Sequence, residues 1–145
     1  MIKAASQQMD DLLLSFKFYS RPDQLKLVRA KVTEAVTSCG CIGETIQDFV
    51  IAVDEACQNI IRHAYQGQPD GEIILEIFKK NDDIVVLLKD FAHTVDPELI
   101  KPRDLDDLRP GGLGTHFMQE VMDEVTFMPP PQEGGNLLKM KKRIT

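Results

Sequence analysis

"GEIILEIFKKNDDIVVLLKDF", residues 71–91, decides the architecture of this chain. Two apolar runs rich in isoleucine and valine flank Asn81, Asp82 and Asp83, residue types that favour a tight turn. The spacing predicts two strands in immediate succession, joined as an antiparallel hairpin. Successive strands of this kind are foreign to a doubly wound parallel sheet, in which a helix separates each strand from the next.

The segment before the hairpin is helical. With successive residues turned by ~100°, Phe49, Val53, Ala56, Cys57, Ile60 and Ala64 fall within one arc, predicting a helix from about Glu44 to Tyr65 that lays one face on a sheet. An earlier helix begins near Pro22, carries Leu25, Val28, Val32 and Val36 at three-and-four spacing, and stops at Gly40. Ahead of it, "LLLSFKFYS" at 12–20 alternates apolar and polar residues as a half-buried strand does.

Beyond the hairpin, residues 91–114 hold Pro97, Pro102, Pro110 and three glycines, with at most a short helix at "PELI". A connection of that length is usually functional or mobile. "THFMQEVMD" then reads as a helix, "EVTFM" as a strand, "PPPQEGG" as a turn and "NLLKMKKRIT" as a closing strand. The expected fold is a two-layer α/β sandwich, with helices on one face of a mixed, mostly antiparallel sheet.

The 145 residues suit one domain, 1–145, with 43% apolar and 28% charged side chains. Acidic residues outnumber basic ones by 23 to 17, a field that repels a phosphate backbone, so nucleic acid is not an expected partner. The longest apolar runs are too short to span a bilayer and no leader pattern opens the chain, so a cytoplasmic location is expected. Cys39, Cys41 and Cys57 lack the paired spacing of a zinc site and read as reduced thiols.

Three features could carry chemistry. Glu55, Asn59 and His63 recur every fourth residue beside the apolar arc, at ~240°, ~280° and ~320° from Phe49 on a helical wheel. Such a row either offers oxygen ligands and a proton acceptor to a bound group, as a hydrated magnesium ion would need, or forms a solvated boundary. "RPGGLGTHFM" at 109–118 sets glycines before a predicted helix, which suits an anion at exposed backbone amides or a bare turn. Asp90 ends an apolar strand, where an acid can accept from an exocyclic amine or simply cap a turn.

Taken in order, these segments resemble the histidine-kinase-like (GHKL) ATPase superfamily, with its Bergerat-type fold. Within it the chain is most similar to the bacterial anti-sigma factor serine/threonine protein kinases. "VDEACQNIIRHAY" at 53–65 matches the N box and "KDF" at 89–91 the start of the first glycine box. "GGLGTHFMQEVMDEV" at 111–125 matches the second, and "EGGNLLKMKKR" at 133–143 the closing one. The likeness runs from about residue 12 to 143.

That resemblance implies ATP held between the helical layer and a flexible lid, with Mg2+ bridging its phosphates. It implies Asn59 as magnesium ligand, Glu55 as general base for a substrate hydroxyl, and Asp90 as the residue that recognises adenine. Gly111, Gly112 and Gly114 would belong to the lid, with Thr115 near phosphate and Arg109 a contact to the γ-phosphate, where guanidinium can bind bidentately. The implied partners are a small anti-anti-sigma (STAS-type) protein as phosphate acceptor and a sigma factor that is sequestered, the two joined by partner switching, in a homodimeric protein.

One position departs from the family pattern. The first glycine box usually runs Asp-x-Gly, whereas Asp90 and Phe91 are followed here by Ala92, whose methyl restricts positive φ beside the nucleotide. Two other readings accompany the kinase: a nucleotide-dependent switch module with little or no transfer, and a detached histidine-kinase catalytic domain. The second would need a dimerisation-helix histidine segment ahead of residue 12, and none is recognisable there.

Overall fold

A computed structural model of the chain describes residues 10–92, 117–129 and 134–144. Strand β1 spans Asp10–Tyr19, and a 3-10 turn at Pro22–Gln24 leads into helix α1, Leu25–Thr37. Helix α2, Gly43–Asn59, runs on into a π-helical turn, Ile60–Ala64. Strands β2 (Glu72–Lys80) and β3 (Asp83–Asp90) follow, then a helical turn at 117–121, β4 (Glu124–Met128) and β5 (Asn136–Arg143). The expected elements that fall among the described residues are therefore present. The short helix at "PELI", together with Arg109, Gly111, Gly112, Gly114 and Thr115, lies outside the described residues.

The central hairpin forms with a two-residue turn. Lys80 pairs with Asp83, which leaves Asn81 and Asp82 to reverse the chain, and Asn81 adopts φ 57°. Asparagine tolerates this left-handed backbone better than most non-glycine residues.

The five strands lie in the order β1-β2-β3-β5-β4. All four neighbouring pairs are antiparallel, so the expectation of a mixed sheet is corrected among the described residues. The physical reason is where the long connection lands. After it the chain enters the sheet at the outer edge as β4, and β5 then turns back to fill the gap beside β3. Because β5 is antiparallel to both, β4 runs in the same direction as β3 but never touches it.

Helices cover one face of this sheet. Alternate residues of the strands point to them: Ile73, Leu75 and Ile77 of β2, Ile84, Val86 and Leu88 of β3, and Leu138 and Met140 of β5, all buried. Val28, Val32 and Val36 of α1 and Phe49, Ala52, Val53 and Ala56 of α2 complete the core. Withdrawing a side chain such as Phe49 from water contributes about 1.5–3 kcal/mol. Cys41 and Cys57 are buried in the same core and all three thiols are free.

Polar links tie α2 to α1 and to β5. Arg29 Nη1 of α1 lies 2.8 Å from Asp54 Oδ1, and Gln58 Nε2 donates to Asp54 Oδ2 at 2.8 Å. Lys142 of β5 pairs with Asp48, nearer the start of the same helix, at 3.5 Å. No described helix is long and apolar enough to cross a membrane.

Candidate functional site

The end of α2 carries the first half of the site. Asn59 is the last α-helical residue and is buried, with Glu55 half-buried one turn before it. The helix then widens: Tyr65 N–H donates to Ile60 C=O, five residues back, at 2.9 Å. One extra residue in that turn brings both Ile60 and Ile61 into the core and takes His63 to the exposed side. His63 is exposed beyond the buried Asn59, and π-turns of this kind commonly accompany functional positions.

Glu55 makes no hydrogen bond among the described residues. Burial raises its carboxyl pKa, the Asp54 carboxylate raises it further, and the Arg62 guanidinium opposes both. Asp54 is committed to Arg29 and Gln58, so Glu55 is the acid on this turn left to act as a proton acceptor. The side-chain oxygen Oδ1 of Asn59 is buried and accepts no hydrogen bond among the described residues. No described cluster of three or more acidic, histidine or cysteine side chains could hold a metal, so a cation here would take its remaining oxygens from a bound substrate and from water.

The second half lies at the end of β3. Asp90 is only 2% exposed, and no cation among the described residues contributes to holding its charge. Two donors reach it, the Ala92 N–H at 3.0 Å and Asn136 Nδ2 at 2.9 Å, and both meet the same oxygen, Oδ1. Oδ2 accepts no hydrogen bond among the described residues. Burial pushes the Asp90 carboxyl pKa up, while the Asn136 and Ala92 donors pull it back.

Ala92 belongs to this second half. Left-handed backbone at non-glycine residues is confined, among the described residues, to Gln66 and Asn81. Ala92 therefore has no positive φ for its methyl to strain, and its N–H serves Asp90 directly.

Two residues of the site give no clear signal in the sequence. Tyr65 donates its hydroxyl hydrogen to Glu72 C=O at 2.7 Å and accepts the Phe91 N–H at 2.8 Å, so it ties the end of the N-box helix to the end of β3. Its ring occupies the space where a side chain on Gly71 would stand. Nothing in the sequence separates such a tyrosine from a core aromatic, although the turn after it, with Gln66 at φ 53° and Gly67 at φ 83°, marks a sharp exit. Asn136 is visible only as the last letter of "EGGN". The structure brings Asp90, Ala92 and Asn136 into direct contact and joins them through Phe91 and Tyr65 to the helix of Glu55 and Asn59.

The raised Asp90 pKa has a testable consequence for stability. A carboxyl whose folded pKa exceeds its unfolded value contributes fully below the unfolded value, and that contribution is lost as pH rises through the folded one. Asp90→Asn keeps an oxygen for both donors and removes the buried charge. Its melting temperature is expected to exceed that of the wild type at pH 7–8, with the gap closing as pH falls to the ordinary carboxylate range. A thermal melt of Asp90→Asn below that of the wild type at pH 7.5 would contradict the assignment.

Fold and site together define a histidine kinase-like ATPase domain: the family model of that description matches residues 18–142, and the chain belongs to that family. The chain is 32% identical to the serine-protein kinase RsbW of Bacillus pumilus (strain SAFR-032) over 124 residues, 78% of this chain and 76% of that protein. It is 30% identical to the serine-protein kinase RsbW of Bacillus subtilis (strain 168) over 121 residues, 77% of this chain and 75% of that one. Within the ATPase family, its place is with the RsbW kinases. The crystal structure of the RsbU and RsbW domains of Rv1364c from Mycobacterium tuberculosis superposes with a TM-score of 0.65 at 16% identity. That match covers 90% of this chain and 31% of the other, and it is a likeness of fold.

Proposed function

We propose that this chain is an ATP-dependent protein-serine/threonine kinase that acts as an anti-sigma factor. It transfers the γ-phosphoryl group of ATP to a serine or threonine of a small anti-anti-sigma protein, sequesters a sigma factor, and exchanges one partner for the other. A cytoplasmic homodimer of single-domain subunits is the expected form. The observation that carries this reading is the joint presence of Glu55 and Asn59 on one helical turn, braced through Tyr65 to a buried Asp90.

The residues suit the steps that phosphoryl transfer asks of them, which are alignment and charge stabilisation more than covalent chemistry. Asp90 accepts a hydrogen bond from the exocyclic amine of adenine through Oδ2. The Asn59 carboxamide oxygen and water are the hard donors that magnesium prefers, so the donor set fits that ion. Bound magnesium neutralises negative charge on the phosphates. Glu55 receives the proton of the acceptor hydroxyl as its oxygen bonds to the γ-phosphorus and the bond to ADP breaks. Arg109, Gly111, Gly112, Gly114 and Thr115 are assigned to the phosphate end and the lid on the sequence resemblance alone.

The test combines transfer with binding. Wild-type protein is incubated with magnesium, labelled ATP and candidate anti-anti-sigma proteins, and melted with and without nucleotide. Label should reach one acceptor, and ATP should raise the melting temperature more with magnesium than with a chelator. Asn59→Ala should lose that magnesium-dependent increment and reduce transfer at least ~100-fold, since a misplaced phosphate forfeits alignment. Equal protection and equal transfer in wild type and Asn59→Ala would reject the assigned role.

A further inference from the structure

The closing "EGGN" segment does more than end a turn. Gly135 has φ 89°, and a Cβ built on it would overlap the carbonyl oxygen of Asp90 and lie 3.2 Å from Phe91 Cα. Only a residue without a side chain lets the two backbones come this close. That approach starts β5 with Asn136 opposite Asp90, the terminal pair of the β3–β5 ladder. Asn136 Nδ2 donates to Asp90 Oδ1 at 2.9 Å, across a sequence separation of 46 residues.

We propose that Asn136 is a positioning residue for selection of the nucleotide base, holding Oδ1 of Asp90 so that Oδ2 is the oxygen presented to a 6-amino purine. A carboxylate fixed at one oxygen by two donors cannot rotate without breaking both bonds, so its second oxygen has one direction. An amino group at the purine 6-position donates to that oxygen, whereas a 6-oxo group faces it with a second acceptor. Discrimination then comes from leaving the wrong base's oxygen and the buried carboxylate unpaired. The inference rests on the nucleotide-binding reading above and deepens it at one residue.

Asn136→Thr and Asn136→Val supply the test, being nearly the same shape and both suited to a strand, but with a hydroxyl donor in only one. Affinities for ATP and inosine triphosphate are measured by calorimetry on wild type and both variants, with melting of the nucleotide-free proteins as a check on folding. Asn136→Val should lower the ratio of ATP to inosine triphosphate affinity about tenfold, the loss expected for one hydrogen bond to a charged group. Asn136→Thr should recover most of that ratio. A folded Asn136→Val that keeps the wild-type ratio overturns the proposal, as does a wild type that binds both nucleotides equally, and in either case nucleotide binding itself stands. A wild type that binds neither nucleotide ends both readings together.

Discussion

Glu55→Ala should slow phosphoryl transfer by about 10²–10⁴-fold, the usual contribution of a positioned general base, while nucleotide affinity changes little. The separation of the two effects follows from the geometry. Glu55 makes no hydrogen bond among the described residues, so removing it breaks none there. Asp54, its neighbour, is held by Arg29 and Gln58 and keeps α2 docked on α1 in the variant.

Glu55→Gln is the sharper control, because it keeps the shape and loses only the basic oxygen. It should be as slow as the alanine variant. Since burial and Asp54 raise the Glu55 pKa, the rate in the wild type should fall on acidification with a midpoint above the ordinary glutamate value, and the glutamine variant should lack that limb. Transfer in either variant within threefold of the wild-type rate would remove Glu55 from the mechanism.

Gly135→Ala is expected to be the most damaging of the small substitutions, at about 3–5 kcal/mol, a size reserved for overpacking or backbone strain that cannot relax. Both mechanisms apply. The alanine would be strained at φ 89°, and its methyl would meet backbone atoms of Asp90 and Phe91, which are fixed by the β3–β5 ladder and by the Tyr65 hydroxyl. For a chain of this size the loss corresponds to a melting temperature lower by roughly 10–16 °C.

Gly134→Ala separates the two causes. Gly134 has φ 91°, but a methyl group at that position would meet nothing within 4 Å among the described residues, so this variant carries conformational strain and should lose only about 1 kcal/mol. Similar melting temperatures for the two variants would show that the close approach of β5 to Asp90 is not rigid.

Much of this molecule is readable from local pattern. The strands at 72–80 and 83–90 and the helices around Val28 and Phe49 stand where two-fold and 3.6-fold periodicity put them, because side-chain direction repeats along the chain itself. Glu55, Asn59 and Asp90 stand out in the same way, as polar residues at the edge of apolar faces, and their roles come from resemblance to a family. The regular wheel fails at Ile60, where a π-turn lets two consecutive isoleucines share the core. Periodicity presumes a constant turn angle, and burial of Ile60 and Ile61 overrides it.

The sequence by itself determined the described elements and their order, since these depend on neighbours a few residues away. Only the tertiary structure decided that β5 lies between β3 and β4, which makes every described strand pair antiparallel and sets Asn136 against Asp90. It also decided that Tyr65 joins the helix end to Phe91. These contacts link residues 26 and 46 positions apart, and their partners are chosen by register and by where a crossover re-enters the sheet. Both are properties of the packed whole, because the energy that fixes them is gained only when the layers close.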